Sequence, residues 1–152
     1  MNPLLKKLNY KDQQEIFVLN APGPMASLLK AFDREVPLRT ELPEGTPGFT
    51  LIFVMRSEEI SHFAAQLKNR LTGDPIIWFA YPKRSSGNYD TDISRDYGWG
   101  PLGELGLEPV RQVAIDEDWS ALRFREVDHI RTMTRRQGMR LSDKGKKRAQ
   151  GK

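Results

Sequence analysis

The amino-acid sequence predicts a three-layer α/β fold with a sheet of about six strands, mostly parallel and ending in an antiparallel hairpin. Three observations predict it. Residues 16–19, 49–54 and 76–80 are β-rich and almost wholly apolar, the pattern of strands covered on both faces. Segments with helical spacing alternate with them, as in a sheet flanked by helices. Two more β-rich segments, 110–115 and 121–127, are joined by a short polar link, close enough to pair as a hairpin.

Each element has a local reason. Asn2 precedes Pro3, a capping residue ahead of one suited to the first helical position, and Leu4, Leu5 and Leu8 then mark one face. Residues 15–20 form the first strand, stopped by Ala21-Pro22-Gly23-Pro24. Pro24 opens a helix carrying Met25, Leu28, Leu29 and Phe32. Residues 36–41 are a shorter candidate strand, the weakest of the set because of Pro37 near its start. Residues 42–48 contain two Pro and two Gly and read as loop. These seven residues reach at most roughly 24 Å, enough for a bare crossover; an antiparallel second strand is the alternative. Residues 49–55 follow as a strand. Ser57 is placed as an N-cap, with Glu58 and Glu59 in the first helical turn. Ile60, Phe63, Ala64, Leu67 and Leu71 make its apolar stripe, and Gly73 and Pro75 close it. Residues 76–81 form a third apolar strand. The chain is then polar over 82–91. Asp92 is expected to cap a short helix through Tyr97, and Pro101 to begin another that Gly106 ends.

A chain of 152 residues is long enough for one domain, expected over residues 1–129. Hydrophobic residues are 38% and charged residues 29%, values of a soluble globular protein. Cysteine is absent, which excludes disulfides, thiolate metal sites and cysteine nucleophiles. No run approaches the ~20 apolar residues of a membrane span, so no membrane partner is expected and the expected compartment is the cytoplasm. Residues 130–152 carry nine basic residues and one acidic, whereas the remainder holds 15 basic and 19 acidic. The basic pI is therefore a property of this tail. The tail is expected to be disordered, with few apolar residues to order it. As a solubilising extension it would bind nothing; as a partner surface, residues 131–152 would make weak, salt-sensitive contact with a polyanion or nucleic acid. No aromatic residue interrupts its charges to stack on bases.

Ligands of open α/β sheets bind beyond the carboxyl ends of the strands. That edge gathers Asn20 to Gly23, Met55 to Ser57, Tyr81 to Lys83 and Asp116 to Ser120. The ligand-binding candidates are Asn20, Gly23, Lys83, Asp92, Arg95, Asp96, Asp116, Trp119, Ser120 and Arg123. Lys83, Arg95 and Arg123 would contact an anion; Asp92, Asp96 and Asp116 would act as bases; Trp119 would offer a stacking face. Each has a structural alternative: Asp92 as a helix cap, Arg95 as an ion-pair fastener, Trp119 as a core plug. Arg123 and Arg125, alternating with Leu122 and Phe124, are either buried and paired or line a pocket. The 92–96 segment and the 116–123 hairpin are expected to meet and share an arginine–carboxylate contact.

Other chemistries are excluded. Asn88, Asp90 and Asp92 mimic the start of a calcium loop, but Ile93 and Trp99 stand where Gly and Glu are needed. No phosphate-binding glycine loop precedes Lys83, and no Gly-x-Ser-x-Gly elbow exists. His62 and His129 are the only histidines and lie far apart, so no metal site is expected.

Asn20-Ala21-Pro22, Ala80-Tyr81-Pro82-Lys83, Asp92-Ile93-Ser94-Arg95-Asp96, Gly106-Leu107 and the run from Asp116 to Phe124 together resemble an uncharacterised bacterial family known as a domain of unknown function, over residues 4–127. The strand series also resembles a shortened methyltransferase-type Rossmann sheet. That resemblance implies strand order 2-1-3-4-6-5, an S-adenosylmethionine site at a glycine-rich loop after the first strand, and a ribose-binding role for Glu41. The loop here departs from that pattern, with one Gly and two Pro over 20–24. The reading that follows is a small ligand-binding or regulatory domain with a degenerate Rossmann-like site and an unidentified cofactor or ligand. The alternatives are a small methyltransferase-like transferase, and a nucleic-acid accessory protein acting through its tail.

Overall fold

The computed structural model describes residues 1–130; the tail expected over 131–152 lies outside the described residues. In chain order the elements are α1 (Pro3–Lys7), β1 (Ile16–Leu19), α2 (Ala26–Asp33), β2 (Leu38–Arg39), β3 (Phe49–Phe53), α3 (Ser57–Leu67), β4 (Ile76–Pro82), α4 (Gly100–Gly103), β5 (Leu107–Ala114) and β6 (Trp119–Glu126). A 3-10 turn over Gly23–Met25 leads into α2, and a second follows β6 over Val127–His129.

The sheet order is β2-β1-β3-β4-β6-β5. The first four strands run parallel: Ile16 faces Leu38, Phe17 faces Thr50, and Phe49 faces Ile76. β6 lies antiparallel to both β4 and β5. The three apolar strands are therefore central neighbours, buried at every position. β2 is parallel, so the antiparallel alternative is set aside. It pairs over only two residues, because Pro37 at its start has no N–H to donate.

Helices cover both faces. Leu5 and Leu8 of the α1 region and Phe32 of α2 pack with Ile16, Leu51 and Trp78. Trp78 Nε1 donates to the Leu8 carbonyl at 2.8 Å, which satisfies a buried donor and ties the end of α1 to β4. On the opposite face Ile60, Ala64 and Leu67 of α3 and Leu102 of α4 pack with Ile52, Phe79 and Phe124. No helix among the described residues is long and apolar enough to cross a membrane.

Local capping follows the sequence at one helix and departs from it at another. Asn2 Oδ1 accepts from the amides of Leu4 and Leu5 at 2.9 and 3.3 Å, as expected of its position. Ser57, in contrast, is the first helical residue of α3, and Arg56 is the N-cap. The acceptor at this helix start is Glu59, whose Oε1 takes the amides of Met55 and Arg56 at 2.7 and 3.0 Å. A glutamate three residues into the helix can reach back to the cap amide, which leaves the serine hydroxyl for another partner.

The helix expected over 92–97 does not form. Ser94 and Tyr97 exchange backbone hydrogen bonds of 3.3 Å in a tight turn, and Gly98 follows at φ +105°, a conformation that ends local regularity. The hairpin strands start earlier than the apolar runs indicate. Leu107 and Glu108 pair with Glu126 and Arg125, and a bulge between Pro109 and Arg111 carries the strand past the proline.

Candidate functional site

The crevice between β1 and β3 opens at the carboxyl edge of the sheet, where the strand order reverses. Here it is spanned by side chains. Asn20, at φ +60° just after β1, directs its Nδ2 to the Phe53 carbonyl and to Glu59 Oε2, both at 2.8 Å. Glu59 thereby joins the ends of β1 and β3 to the start of α3. The first amide of α3 is also taken: Ser57 N donates to Asp92 Oδ1 at 2.8 Å and Ser57 Oγ to Asp92 Oδ2 at 2.7 Å. Arg56 Nε lies 3.8 Å from the same carboxylate. Asp92 is thus a helix cap, but for α3, 35 residues earlier in the chain, and not for its own segment.

This arrangement does not fit the S-adenosylmethionine site that the methyltransferase resemblance implies. Gly23 is exposed, and the loop from Asn20 to Pro24 has this one glycine and two prolines, unlike the glycine-rich loop that the resemblance implies. The carboxamide of Asn20 and the carboxylate of Glu59 bridge the crevice. Glu41 lies in a separate open groove of about 440 Å³ with Glu15, Phe17 and Arg39.

A second concavity lies further along the same edge, above β4, β6 and β5. Its volume is about 420 Å³. The floor is Tyr81 at the end of β4 and Ser120 of β6, which face each other in register. Gln112 of β5 donates from Nε2 to the Tyr81 hydroxyl at 3.1 Å. The rim carries Lys83 and Arg84 on one side and Ser94, Arg95 and Asp96 on the other. Trp99 holds that second rim: its Nε1 donates to the Ser94 carbonyl at 2.8 Å, and its ring lies edge-on to Tyr81 with centroids 5.5 Å apart. Burial raises the Tyr81 pKa above its ordinary 10.0, with Arg95 opposing and Asp96 reinforcing the shift. The phenol therefore keeps its proton at neutral pH and can donate.

Of the residues expected at this edge, Lys83, Arg95, Asp96 and Ser120 gather around the cleft. Arg95 Nη1 and Asp96 Oδ1 lie 3.5 Å apart. The 92–96 segment and the hairpin do meet, at Gln112 and Ser120, but among the described residues no arginine pairs with Asp116. That carboxylate is held by its own turn, accepting from the amides of Asp118 and Trp119 at 2.8 Å each. Asn20, Gly23 and Asp92 belong to the β1–β3 crevice and the α3 start. Trp119 is 1% exposed, packed edge-on to Phe53 and Tyr89 at 5.3 and 5.0 Å, so its ring fills the core. Arg123 is half-buried beside Trp78 in register, on the α1–α2 face. Its Nε has no partner among the described residues. Burial and the neighbouring Arg125 and Arg111 cations depress its pKa, with Asp74 opposing. Arg125, by contrast, pairs with Asp74 through Nε at 3.1 and 3.2 Å.

Tyr81, Arg84, Ile93, Ser94 and Gln112 complete the cleft and were not among the ligand-binding candidates. Tyr81 lies inside an apolar strand, and Gln112 alternates outward on a hairpin strand; neither position marks a ligand contact in the sequence. Among the described residues no group of three or more His, Asp or Glu could hold a metal ion.

Two carboxylates tie this architecture to pH. The Ser57 hydroxyl bond, with the Ser57 amide and Arg56 adding to it, holds Asp92 below its ordinary 3.8. The Arg125 hydrogen bond does the same for Asp74. A depressed folded-state pKa gives stability that is present above the unfolded value and lost as pH falls through the folded one. The melting temperature should therefore be insensitive to these groups between about pH 5 and 7 and fall below about pH 4. Asp92→Asn and Asp74→Asn should each flatten the fall; an unchanged acid limb in both variants would contradict the assignment.

No protein-family model matches the chain, and no curated protein matches it. Solved structures do resemble it. An S-adenosylmethionine-dependent methyltransferase from Aquifex aeolicus superposes at TM-score 0.53 and 14% identity, over 82% of this chain and 88% of that one. A putative type 11 methyltransferase from Sulfolobus solfataricus gives 0.53 and 10%, over 88% and 96%. The N-methyltransferase NodS from Bradyrhizobium japonicum gives 0.51 and 12%, over 81% and 92%. At these identities the likeness concerns the fold: the chain has the mixed, six-stranded Rossmann-like sheet of the methyltransferases.

Proposed function

We propose that the protein is a small ligand-binding or regulatory domain whose ligand site is the cleft between Tyr81, Ser120 and the 94–96 turn. The observation that supports this most directly is the cleft itself: about 420 Å³ at the carboxyl edge, lined by polar side chains that converge on one space. A methyltransferase-type transferase is the second reading, and what favours it is the fold of the neighbours. Membership in the bacterial family of unknown function, a cytoplasmic location and a weak polyanion contact through residues 131–152 belong to the same proposal and rest on sequence.

The test is a thermal-shift screen of the full chain against nucleotides, sugar phosphates, S-adenosylmethionine and S-adenosylhomocysteine. A compound that binds only the folded state raises the melting temperature, by RT ln(1 + [L]/Kd) in free energy. The expected result is a saturable rise that Ser94→Trp, which projects an indole into the cleft, removes. A rise with S-adenosylmethionine that survives Ser94→Trp would transfer the assignment to the transferase reading.

A further inference from the structure

We propose that the cleft takes an oxyanionic small molecule, a phosphate monoester or a carboxylate, held between the cations of Lys83, Arg84 and Arg95 over the hydroxyl of Tyr81. This deepens the ligand-binding reading and rests on it.

The charges of the lining are unbalanced. Lys83, Arg84 and Arg95 face one acid, Asp96. That acid does little to neutralise the rim. Its contact with Arg95 is 3.5 Å, and the Asp96 side chain is 76% exposed, so water screens the pair. Among the described residues neither Lys83 nor Arg84 has an ion-pair partner. The lining thus carries three cations and one acid around a space of about 420 Å³, the size of a small-molecule site.

The floor is built to donate. Gln112 places an N–H on the Tyr81 oxygen, which occupies one of its acceptor positions and orients the phenol. The phenol's own hydrogen is then directed elsewhere. The residue opposite in register is Ser120, buried and also bearing a hydroxyl. Trp99 backs the Tyr81 ring from behind, so the phenol cannot swing away without disturbing the core. A ligand with only acceptor oxygens matches such a floor, and its charge matches the rim. A neutral ligand would leave Lys83 and Arg84 without a counter-charge, and a cation would be repelled.

Isothermal titration of the full chain with ribose 5-phosphate, citrate and uncharged ribose tests this. Ribose 5-phosphate binding identifies a phosphate monoester, citrate binding a carboxylate, and ribose is the neutral control. We expect saturable binding of at least one anionic probe and none of ribose. Lys83→Ala, Arg95→Ala and Tyr81→Phe should each weaken it about tenfold or more, with melting temperatures of the free proteins close to the parent. Anion binding that persists in the Lys83→Ala/Arg95→Ala double variant would overturn the proposal. A neutral compound from the screen that binds, is displaced by Ser94→Trp and ignores the cation variants would overturn it while leaving the ligand-binding reading standing. Failure of every compound to depend on Ser94 would overturn both.

Discussion

Replacing Trp119 with alanine should lower the free energy of unfolding by about 3–5 kcal/mol, the range for removing a buried aromatic side chain. The ring is 1% exposed and touches Phe53 of the central sheet and Tyr89 of the polar loop edge-on. Deleting it leaves a cavity beneath the hairpin, between the sheet and the 83–91 connection. Neighbours held by other elements cannot collapse fully into it. Trp119→Phe should cost much less, because it keeps aromatic volume and removes an indole N–H that has no acceptor among the described residues. Urea denaturation measures both changes. Anion affinity at the cleft should fall in neither, once the folded fraction is allowed for. A loss under about 1 kcal/mol for the alanine variant, the centre of the range for substitutions in general, would show that the ring does not fill the core. A selective loss of ligand with stability intact would return Trp119 to the binding surface.

The second large effect is expected at Glu59. Its carboxylate accepts from the amides of Met55 and Arg56 and from the carboxamide of Asn20. When the side chain is cut back to alanine the two exposed amides exchange this carboxylate for water. A loss of about 2–3 kcal/mol follows from forfeiting a helix-start cap together with charge-assisted hydrogen bonds. Glu59→Gln should be intermediate. One oxygen still serves the two amides, but the new amide group meets the Asn20 Nδ2 donor head-on. The readouts are the urea midpoint and hydrogen exchange at Met55 and Arg56, which should accelerate in the alanine variant. If exchange there is unchanged, the amides have another partner and the assignment of Glu59 as the seal of the β1–β3 crevice fails.

The parts of the fold that were legible in the sequence are those whose cause is local. Strands buried on both faces have no polar alternation, so β1, β3 and β4 stand out in Ile16–Leu19, Phe49–Phe53 and Ile76–Pro82. The Asn2-Pro3 start declares α1 for the same reason. What was not legible depends on partners distant in the chain. Asp92 in front of a short polar stretch has the appearance of a local cap; its partner, Ser57, lies 35 residues away. Ser57 likewise looks like a cap until Glu59 is seen to perform that task two residues on. The cleft was half visible. The strand-end rule places its charged rim at Lys83, Arg95 and Asp96 and also brings Tyr81 and Ser120 to that edge, but not the pairing of those two as a floor, nor Gln112 beside them. Tyr81 is the last aromatic of an apolar run, and only the antiparallel register of β6 sets Ser120 opposite it.

The two margins of the described sheet are unlike its middle. β2 contributes two residues, and β5 is interrupted by Pro109 and the bulge before Arg111. An unprotected margin offers a row of free N–H and C=O groups that can recruit a strand from another molecule. Here one margin is too short to template such growth, and the other bends, lacks a donor at the proline and places a fixed positive charge beside the break. Among the described residues both margins are thus poor templates for edge-to-edge pairing. Straightening β5 by a Pro109→Val, Arg111→Val pair would convert a blunt border into a nucleus for fibres.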